Sequence, residues 1–496
     1  MPNVADAVWR HATERPAAVA LRARGRTWSF ADLRERAAAF AGLLRAEGVR
    51  PGHRVVLVAP SVPEFAVVST AVHAVGAVLV TLNTMATAPE IGYVLDDSGA
   101  RLALAWHETA TAVEKAAAER GLPLLVLRPD LPVGGGAPLS EPVGRGADDT
   151  ALLLYTSGTT GRPKGVEITV DNLDFTAAAF AEQLALTPDD RFGSGLPLFH
   201  VFGQAVCLNG ALRVGCSLSL LSPFEPNAML RMVRDDRVTV LAGVPTMWNA
   251  MLHADDDFGA DDFPALRLAG SGGASLPGEV IREFQERFGC TILEGYGLTE
   301  STGAGSFNSP ALGPRTGSVG PALPGTTVEI RDPAGEILPT GEVGEVHLRG
   351  PHVMKGYWNR PEATAADLPD GRLRTGDLGR LDEDGFLYIV DRLKDLVIRG
   401  GYNVYPREVE EVLYGHPDIV EAAVIGVPDP HYGEEVAAVV TLRPGAALTA
   451  EELRGWAKER LSAYKVPHLV RFVDALPKGS TGKILKRALD WDTLPD

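Results

Sequence analysis

Cysteine is scarce in this sequence. The chain of 496 residues contains only three cysteines, Cys207, Cys216 and Cys290, which are odd in number and lie far apart. A disulfide framework is therefore not expected, and a reducing compartment fits the composition. The first residues also lack a basic segment followed by an apolar core, and no run approaches the roughly 18 apolar residues of a membrane span. We expect no signal peptide, no membrane span and a cytoplasmic location.

Positive charge is also in short supply. Lys and Arg number 47 against 64 Asp and Glu, which gives a formal net charge of −17. This balance argues against a nucleic-acid-binding face and favours a soluble acidic enzyme. Hydrophobic residues make up 45% of the chain and charged residues 22%, as in an ordinary globular protein. The length allows roughly two to four domains, each with its own core.

Helix and strand patterns alternate through the first part of the chain. A helix begins at the cap Ser29, and a second covers about residues 62–75. Short apolar runs predict buried strands at 55–58, 78–80, 102–105, 238–241 and 266–269. Residues 130–148 are rich in Pro and Gly and predict a loop. This alternation is typical of α/β units around a parallel sheet.

The pattern changes twice further along. Residues 316–350 contain short strand patterns separated by Pro-Gly turns, which predict a small antiparallel barrel or sheet. Near residue 395 a third pattern begins, with a helix opened by Pro406 and closed by Gly415, then two strands and a helix capped by Thr449. We therefore predict an α/β fold: a large N-terminal domain of layered sheets with a barrel-like subdomain, then a small α+β C-terminal domain.

The most informative segment combines hydroxyl groups, glycines and cations: Tyr155-Thr156-Ser157-Gly158-Thr159-Thr160-Gly161-Arg162-Pro163-Lys164-Gly165. Glycines let the backbone point several N–H groups at one anion, and the hydroxyls and cations add further donors. Such a segment suits a polyphosphate. It is not the common P-loop, because Pro163 stands where that pattern needs a glycine. An apolar run before it and an alternating run after it predict a loop between two strands.

Four later motifs follow this segment in the chain. They are Glu294-Gly295-Tyr296-Gly297-Leu298-Thr299-Glu300, Thr375-Gly376-Asp377, Asp391-Arg392-Leu393-Lys394-Asp395 and Pro477-Lys478-Gly479-Ser480-Thr481-Gly482-Lys483. In this order and spacing they resemble the adenylate-forming superfamily of acyl-CoA synthetases, luciferases and peptide-synthetase adenylation domains. The resemblance covers nearly the whole chain, since residues 26–30 and 196–200 also fit it.

This resemblance implies ATP-dependent activation of a carboxylate to an acyl-adenylate, followed by thioester formation, with ATP, Mg²⁺ and coenzyme A as cofactors. The residues that match the phosphate-binding positions are Thr156, Ser157, Gly158, Thr159, Thr160 and Lys164. Those that match the adenosine-binding positions are Gly272, Gly273, Ala274, Gly295, Tyr296, Gly297, Asp377 and Arg392. Thr299 would donate to the α-phosphate, Glu300 would bind Mg²⁺, and Lys483 would bridge the carboxylate and the α-phosphate.

The resemblance also implies that the C-terminal domain rotates between the two half-reactions. The pivot matches Lys394, which divides the chain into an adenylate-forming domain at 1–393 and a mobile C-terminal domain at 394–496. A hinge is a short stretch that absorbs a large change of backbone angles. After rotation, the segment Arg399-Gly400-Gly401-Tyr402 would replace Lys483 and line the channel for the pantetheine arm.

Three positions bear on the acid. Relatives for acetate or propionate carry a tryptophan at the position of Gly297, so a glycine there is interpreted as an open wall. Malonate-type relatives carry an arginine at the position of Gly295, so a dicarboxylate is not expected. Amino acids are not expected either, because no aspartate occurs from Arg191 to Gly203. His200 would gate or contact the acid. Fatty acids, aryl or arylpropenoic acids and unusual secondary-metabolite acids remain, and a fatty or other apolar monocarboxylate is the interpretation we prefer.

Several alternatives stay open at this point. The acceptor thiol is expected to be coenzyme A, but a carrier-protein phosphopantetheine has the same thiol and arm. Oxidative decarboxylation with light emission would start from the same adenylate. A protein of another class, a non-catalytic binder of nucleotide or acyl-adenylate, would share the fold. An unrelated P-loop ATPase or kinase is disfavoured by Pro163, and release of ADP in place of AMP would be its signature.

Overall fold

The computed structural model describes residues 3–129, 131, 136–156, 162–255, 257–479 and 482–494. The α-helices in these ranges are α1 Asp6–Glu14, α2 Phe30–Ala46, α3 Pro63–Ala74, α4 Ala88–Ser98, α5 Ala110–Ala118, α6 Val170–Gln183, α7 Gly210–Val214, α8 Pro226–Asp235, α9 Pro245–Leu252, α10 Gly278–Phe288, α11 Pro361–Asp367, α12 Pro406–Tyr414 and α13 Ala450–Lys458. A π-helix, Phe202–Asn209, runs directly into α7. Short 3₁₀ turns lie at His107–Thr109, Ala260–Asp262, Thr299–Ser301, Pro369–Gly371, Ala463–Lys465 and Lys486–Ala488.

The strands of the described residues are β1 Val19–Ala23, β2 Arg26–Ser29, β3 Arg54–Val58, β4 Val78–Leu82, β5 Leu102–Trp106, β6 Leu124–Leu127, β7 Thr150–Thr156, β8 Lys164–Thr169, β9 Arg191–Ser194, β10 Ser217–Leu220, β11 Val240–Gly243, β12 Leu268–Ser271, β13 Ile292–Gly297, β14 Gly305–Phe307, β15 Thr327–Arg331, β16 Gly344–Arg349, β17 Gly356–Tyr357, β18 Leu373–Leu381, β19 Leu387–Arg392, β20 Val397–Arg399, β21 Tyr402–Val404, β22 Ile419–Asp429, β23 Gly433–Leu442 and β24 Leu469–Phe472.

Two large sheets confirm the expected parallel α/β core. One has the strand order β17-β8-β7-β4-β3-β5-β6, and its strands are parallel from β7 to β6. The other has the order β14-β13-β12-β11-β9-β10-β1-β2, and its strands are parallel from β13 to β1. The strands predicted at 55–58, 78–80 and 102–105 are β3, β4 and β5. Those predicted at 238–241 and 266–269 are β11 and β12, which begin two residues later.

Helix α3 lies between the two large sheets. All of its residues except Glu64 are buried, which is the pattern of a helix covered on every side. It contacts β4 of one sheet and β1 of the other. The carboxyl ends of the parallel strands therefore belong to a continuous packed core, and the loops that follow them have a rigid support.

The predicted helix caps are also present. Ser29 Oγ accepts the Asp32 N–H at 3.1 Å, and Thr449 Oγ1 accepts the Glu452 N–H at 3.3 Å. Pro406 is the first residue of α12, where a missing N–H costs nothing because the first turn has no partner for it. Local side-chain chemistry thus sets these three helix starts.

Two smaller sheets follow the core. Strands β15, β16, β18 and β19 form an antiparallel sheet, which overlaps the region where short strands separated by turns are predicted. Strands β20 to β24 form a separate sheet that carries α12 and α13. Lys394 is exposed and lies in the turn between β19 and β20, and the division of the chain at this residue stays a prediction. Among the described residues, no helix combines the length and the apolar character that crossing a membrane requires.

Candidate active site

The hairpin of β7 and β8 carries the predicted phosphate loop. The two strands are antiparallel, and Thr156 lies opposite Lys164 at the base of the loop. The loop therefore joins two strands, as the sequence predicts. The residues Ser157, Gly158, Thr159 and Thr160, to which phosphate binding is assigned, lie outside the described part of the chain.

Thr156 meets the predicted metal ligand Glu300 at this end of the site. Its Oγ1 donates to Glu300 Oε1 at 3.2 Å, although 144 residues separate the two in the sequence. Glu300 belongs to the 3₁₀ turn that directly follows β13, and its backbone carbonyl accepts the Met354 N–H at 2.8 Å. The structure thus brings the ends of two predicted motifs into direct contact.

Two residues that the sequence analysis missed complete this cluster. The hydroxyl of Tyr357 lies 3.2 Å from Glu300 Oε1 and 3.0 Å from Asp367 Oδ2. Its single proton can be donated to only one carboxylate at a time. Burial, and then the charges of Glu300 and Asp367, raise the pKa of Tyr357, so the hydroxyl stays protonated. Tyr357 reaches the site because the short strand β17 pairs with β8, and no sequence motif announces that pairing.

The positive charge of Lys164 is paired with a carboxylate of the protein in this structure. Its Nζ lies 3.1 Å from Asp367 Oδ2 and 3.7 Å from the centroid of the Tyr357 ring. Asp367 is partly exposed, so the ion pair is weak and can be exchanged for a stronger anion. We refer to Thr156, Lys164, Glu300, Tyr357 and Asp367 as the phosphate-end cluster. Phosphate binding by Lys164 stays a prediction.

A second cluster joins Tyr296, Asp377 and Arg392. The Tyr296 hydroxyl donates to Asp377 Oδ2 at 2.6 Å, and Arg392 Nε lies 3.4 Å from Asp377 Oδ1. Asp377 and Arg392 are paired across β18 and β19. Burial raises the pKa of the Asp377 carboxyl, whereas Arg392 lowers it. Burial, followed by the charge of Asp377, also raises the pKa of Tyr296. Three predicted adenosine-site residues are therefore neighbours.

Lys483, which lies near the C-terminal end of the chain, is close to the cluster of Tyr296, Asp377 and Arg392. A Cβ on Gly273 would lie 2.8 Å from Lys483 Cε and 3.1 Å from its Nζ. Gly273 has a φ of +85°, so its backbone conformation favours glycine, and the absence of a side chain leaves room for the end of Lys483. Lys483 leaves a tight hairpin in which Lys478 pairs with Ile484 and the Gly479 N–H donates to the Lys483 carbonyl at 2.8 Å.

The surroundings of Lys483 change its acidity. Burial, and then the nearby Arg392, lower its pKa to about 8, although Asp377 acts in the opposite direction. Burial and the charge of Lys483 lower the pKa of His200 to about 3. His200 is therefore neutral, and its Nδ1 accepts the Phe202 N–H at 3.3 Å. The side chains of Lys483, His200, Asp377 and Arg392 thus share one electrostatic environment.

Packing also bears on the predicted wall at Gly297. A Cβ there would lie 2.5 Å from the carbonyl carbon of Gly303, so the position is filled by backbone and glycine is required by packing. Packing alone therefore explains the glycine at this position, and an opening of an acyl pocket beside Gly297 stays a prediction. Gly295 is similar, because a Cβ there would lie 2.1 Å from Cδ2 of Phe307. Phe307, which the sequence analysis missed, is 4% exposed.

The remaining glycine segment lies along the strand ends. A Cβ on Gly272 would lie 3.2 Å from Cε1 of Phe202, whereas Ala274 is exposed. Gly272 thus packs against an aromatic ring, and Gly273 packs against Lys483.

The segment Arg399-Gly400-Gly401-Tyr402 makes its contacts within the C-terminal sheet. Arg399 pairs with Glu435 through two hydrogen bonds of 2.5 and 2.9 Å, and the Gly400 N–H donates to the Tyr432 carbonyl at 2.8 Å. Tyr402 is 60% exposed and stacks on Tyr464. The structure therefore places Lys483 beside the two clusters and leaves this segment outside them, and its role in a rotated state stays a prediction.

Comparison with known proteins agrees with this geometry. A family model described as AMP-binding enzyme matches residues 8–358, and a model of the AMP-binding enzyme C-terminal domain matches residues 408–483. Feruloyl-CoA synthase from Amycolatopsis sp is 42% identical over 479 residues, which cover 96% of each chain. A long-chain-fatty-acid–CoA ligase from Mycobacterium tuberculosis is 36% identical over 476 residues, covering 93% of this chain and 92% of that protein. The crystal structure of ATP-bound MatB from Rhodopseudomonas palustris is 35% identical, with a TM-score of 0.91 and 98% coverage of each chain.

The chain belongs to the AMP-binding enzyme family, because the family model matches most of its length. It is an ATP-dependent acyl-CoA ligase that forms an acyl-adenylate before the thioester. The predicted superfamily, the fold class, the reaction and the use of ATP and coenzyme A are thereby confirmed.

Proposed function

We propose that this member of the AMP-binding enzyme family activates an apolar monocarboxylic acid with a planar aryl group, of which the arylpropenoic acids are the best fit. The observation that carries the proposal is the ring of Phe307, which fills the space beside Gly295. The full-length similarity to feruloyl-CoA synthase, whose name specifies an arylpropenoate, supports the same class of acid.

Phe307 is buried and makes the surroundings behind Gly295 apolar. A Cβ on Gly270 would lie 3.2 Å from its Cζ, so the ring spans the glycine ends of both β12 and β13. Phe180 contacts it edge-on, with ring centroids 5.6 Å apart. A second carboxylate at this point would lose its hydration without gaining a cation, at a cost of several kcal/mol. A planar apolar group, in contrast, is favoured by transfer from water into apolar surroundings.

Adenylation needs positive charge around the transferred phosphoryl group. The carboxylate oxygen of the acid attacks the α-phosphorus of ATP, and the bond from that phosphorus to the pyrophosphate oxygen breaks. Lys483 places an ammonium where the negative charge of acid and α-phosphate meets, and Thr299 donates a hydrogen bond to the α-phosphate. Asp377 accepts from the ribose hydroxyls, and Tyr296 contacts the adenine.

The phosphate-end cluster suits the departing pyrophosphate and its metal ion. Glu300 offers a carboxylate flanked by two hydroxyl groups, and such hard oxygen donors are those that Mg²⁺ prefers. Glu300 would hold Mg²⁺, which neutralises phosphate charge when it is bound. Lys164 can leave its weak pair with Asp367 for a phosphate oxygen, because a multiply charged anion competes well for a lysine.

Thioester formation places different demands on the same site. The thiolate sulfur of coenzyme A attacks the acyl carbon, and the bond from that carbon to the AMP oxygen breaks. Lys483 has no partner in this step, so the C-terminal domain turns about Lys394 and brings the segment 399–402 to the adenylate. The exposed position of Lys394 in the turn between two sheets supports a hinge there.

The test is release of AMP and pyrophosphate over a panel of acids, each with and without coenzyme A. The panel contains acetate, octanoate, palmitate, benzoate, cinnamate, ferulate and malonate, and Lys483→Ala is the inactive control. The highest kcat/KM with cinnamate or ferulate supports the proposal. A preference for palmitate would replace the aryl acid with a long-chain acid, and a preference for malonate would overturn the argument from Phe307. Adenylation without turnover in the presence of coenzyme A would identify a carrier protein as the acceptor.

A further inference from the structure

One face of α9 contacts the C-terminal part of the chain at three points. Thr246 Oγ1 donates to the Gly482 carbonyl at 2.8 Å, and Asn249 Nδ2 donates to the Val420 carbonyl at 3.2 Å. Arg443 Nη1 lies 2.9 Å from Nε2 of His253, which directly follows the helix. Spacings of three and four residues place side chains on one helix face. We call Thr246, Asn249 and His253 the docking stripe.

Of the three residues, Thr246 makes the contact that lies next to Lys483 in the chain. The carbonyl that it binds belongs to the residue directly before Lys483, so the hydrogen bond fixes the end of the lysine hairpin. Gly482 has a φ of +79°, and a Cβ there would lie 2.8 Å from Thr246 Oγ1. Gly482 therefore lies close against Thr246, in a backbone conformation that favours glycine. The Gly482 N–H in turn donates to the Gly479 carbonyl at 2.9 Å, which closes the hairpin.

His253 requires a defined protonation state in this arrangement. Its Nδ1 lies 2.8 Å from the Asn249 carbonyl, which can only accept, so Nδ1 carries the proton. Nε2 of the neutral ring then accepts from the Arg443 guanidinium. The same arginine lies 3.9 Å from Glu283 of α10. The stripe thus binds three separate places in the C-terminal part of the chain: the lysine hairpin, the start of β22 and the residue after β23.

We propose that Thr246 is a positioning residue for adenylation, and that the docking stripe selects the orientation in which Lys483 reaches the acid and the α-phosphate. This inference rests on the proposed function, because it assumes that the two half-reactions use different orientations of the C-terminal domain. A contact made in only one orientation accelerates only the half-reaction that uses it. Thr246 donates to the backbone of the hairpin that carries Lys483, so it acts through that hairpin.

The first test compares the half-reactions in Thr246→Val, which keeps the shape and removes the hydroxyl. We expect pyrophosphate–ATP exchange with the preferred acid to fall about fivefold to tenfold, as loss of a partly buried hydrogen bond predicts. The loss should appear in kcat with little change in KM for ATP. Formation of acyl-CoA from synthetic acyl-adenylate should stay within about twofold of the unchanged protein.

Two variants control this experiment. Thr246→Ser keeps the hydroxyl and should restore exchange to within about twofold. Thr13→Val removes a hydroxyl that donates to the Trp9 carbonyl one turn earlier in α1. This change should leave both half-reactions unchanged. Equal loss of both half-reactions in Thr246→Val, or no loss in either, would overturn the inference. If the unchanged protein adenylates no acid of the panel, the proposed function fails instead, and the second test decides on Thr246 by itself.

The second test measures docking without catalysis. Glu283→Cys and Arg443→Cys place two thiols across the interface and leave Thr246 and Asn249 intact, and the three native cysteines are buried. We expect a short bismaleimide to link the two new thiols, and Thr246→Val to lower the yield of this cross-link. An unchanged yield in Thr246→Val would overturn the inference whether or not any acid is turned over.

Discussion

Replacing Lys483 with alanine should abolish most of the adenylation activity and leave folding and ATP binding intact. Lys483 lies beside Gly273 at the base of the site and shares its surroundings with Asp377 and Arg392. Two unit charges about 4 Å apart interact by roughly 4 kcal/mol at an effective dielectric constant near 20. Loss of a single preorganised donor to a developing charge reduces kcat by about 100-fold to 1000-fold. We therefore expect adenylation to fall by at least about 100-fold.

The same lysine predicts a pH dependence with a definite sign. Burial and Arg392 lower its pKa to about 8, so the catalytically useful ammonium is present below that pH and lost above it. The kcat/KM for adenylation reports the free enzyme, so it should fall about tenfold per pH unit above pH ~8. Lys483→Arg keeps its charge in this range and should remove the alkaline decline, although its slower rate reflects altered geometry.

The assay is pyrophosphate–ATP exchange with the preferred acid, measured from pH 6 to 10 alongside ATP affinity and thermal unfolding. Lys478→Ala is the matched control, because Lys478 belongs to the same hairpin but pairs with Glu421 at 2.7 Å. Unchanged exchange in Lys483→Ala would refute the assignment. Equal losses in both alanine variants would show that the hairpin, and not the ammonium of Lys483, is what adenylation requires.

Three further predictions concern the hinge at Lys394, the buried carboxyl of Glu294 and the choice of acid. Lys394→Pro fixes a backbone angle in the proposed hinge, so it should suppress acyl-CoA formation from acyl-adenylate while pyrophosphate exchange continues; equal loss of both would argue against a hinge. Glu294 is buried and its pKa is raised to about 7, so its stability contribution declines as pH rises from about 4.5 to 7. Glu294→Gln should therefore raise the free energy of unfolding by up to about 3 kcal/mol at pH 8, and by little at pH 4.5, in urea titrations. Phe307→Leu removes the ring behind Gly295 and should lower the kcat/KM ratio of cinnamate to octanoate, whereas an unchanged ratio would contradict a role of this ring in selecting the acid.

Much of the fold follows from local sequence patterns. Ser29 and Thr449 cap helices as predicted, because a hydroxyl before a helix and an acid three residues later satisfy the first free N–H groups locally. The buried strands β3, β4 and β5 are visible as short apolar runs for a similar reason. The order of strands in the two large sheets is not predictable in this way, since it depends on contacts between residues that are far apart in the chain.

The residues of the candidate site also fall into two groups: those that local motifs predict and those that depend on long-range contacts. Thr156, Glu300, Asp377 and Lys483 are predicted because each belongs to a motif whose residue types suit phosphate, metal or ribose. Tyr357 and Asp367 belong to no motif and enter only because β17 pairs with the hairpin that carries the phosphate loop. Phe307 was missed because an apolar residue in a strand is, by itself, indistinguishable from ordinary core.

Gly297 shows that one residue can have two physical explanations, one from comparison with relatives and one from packing. Comparison with relatives suggests that a glycine leaves room where others have tryptophan, but the carbonyl carbon of Gly303 lies 2.5 Å from the place where a Cβ would be. The space is filled by backbone, so packing by itself accounts for the small residue at this position. The residue that bears on the choice of acid is instead Phe307, whose ring lies where a Cβ of the neighbouring Gly295 would be.

In the proposed two-orientation cycle, the low pKa of Lys483 gives a physical reason why this lysine would be used in the first half-reaction and withdrawn from the second. A shift from 10.5 to about 8 means that docking the charged hairpin without an anion costs on the order of 3 kcal/mol. Contacts such as those of Thr246 and Asn249, and the Gly278 N–H donated to Glu411 at 2.9 Å, oppose this cost. ATP removes the cost by supplying phosphate charge, which favours the docked hairpin. Once pyrophosphate has left, part of that stabilisation is gone, so the balance moves back toward undocking. In this proposed cycle the orientation of the C-terminal domain would follow the charge in the site, and the hydrogen bonds of α9 would set how far that charge must change.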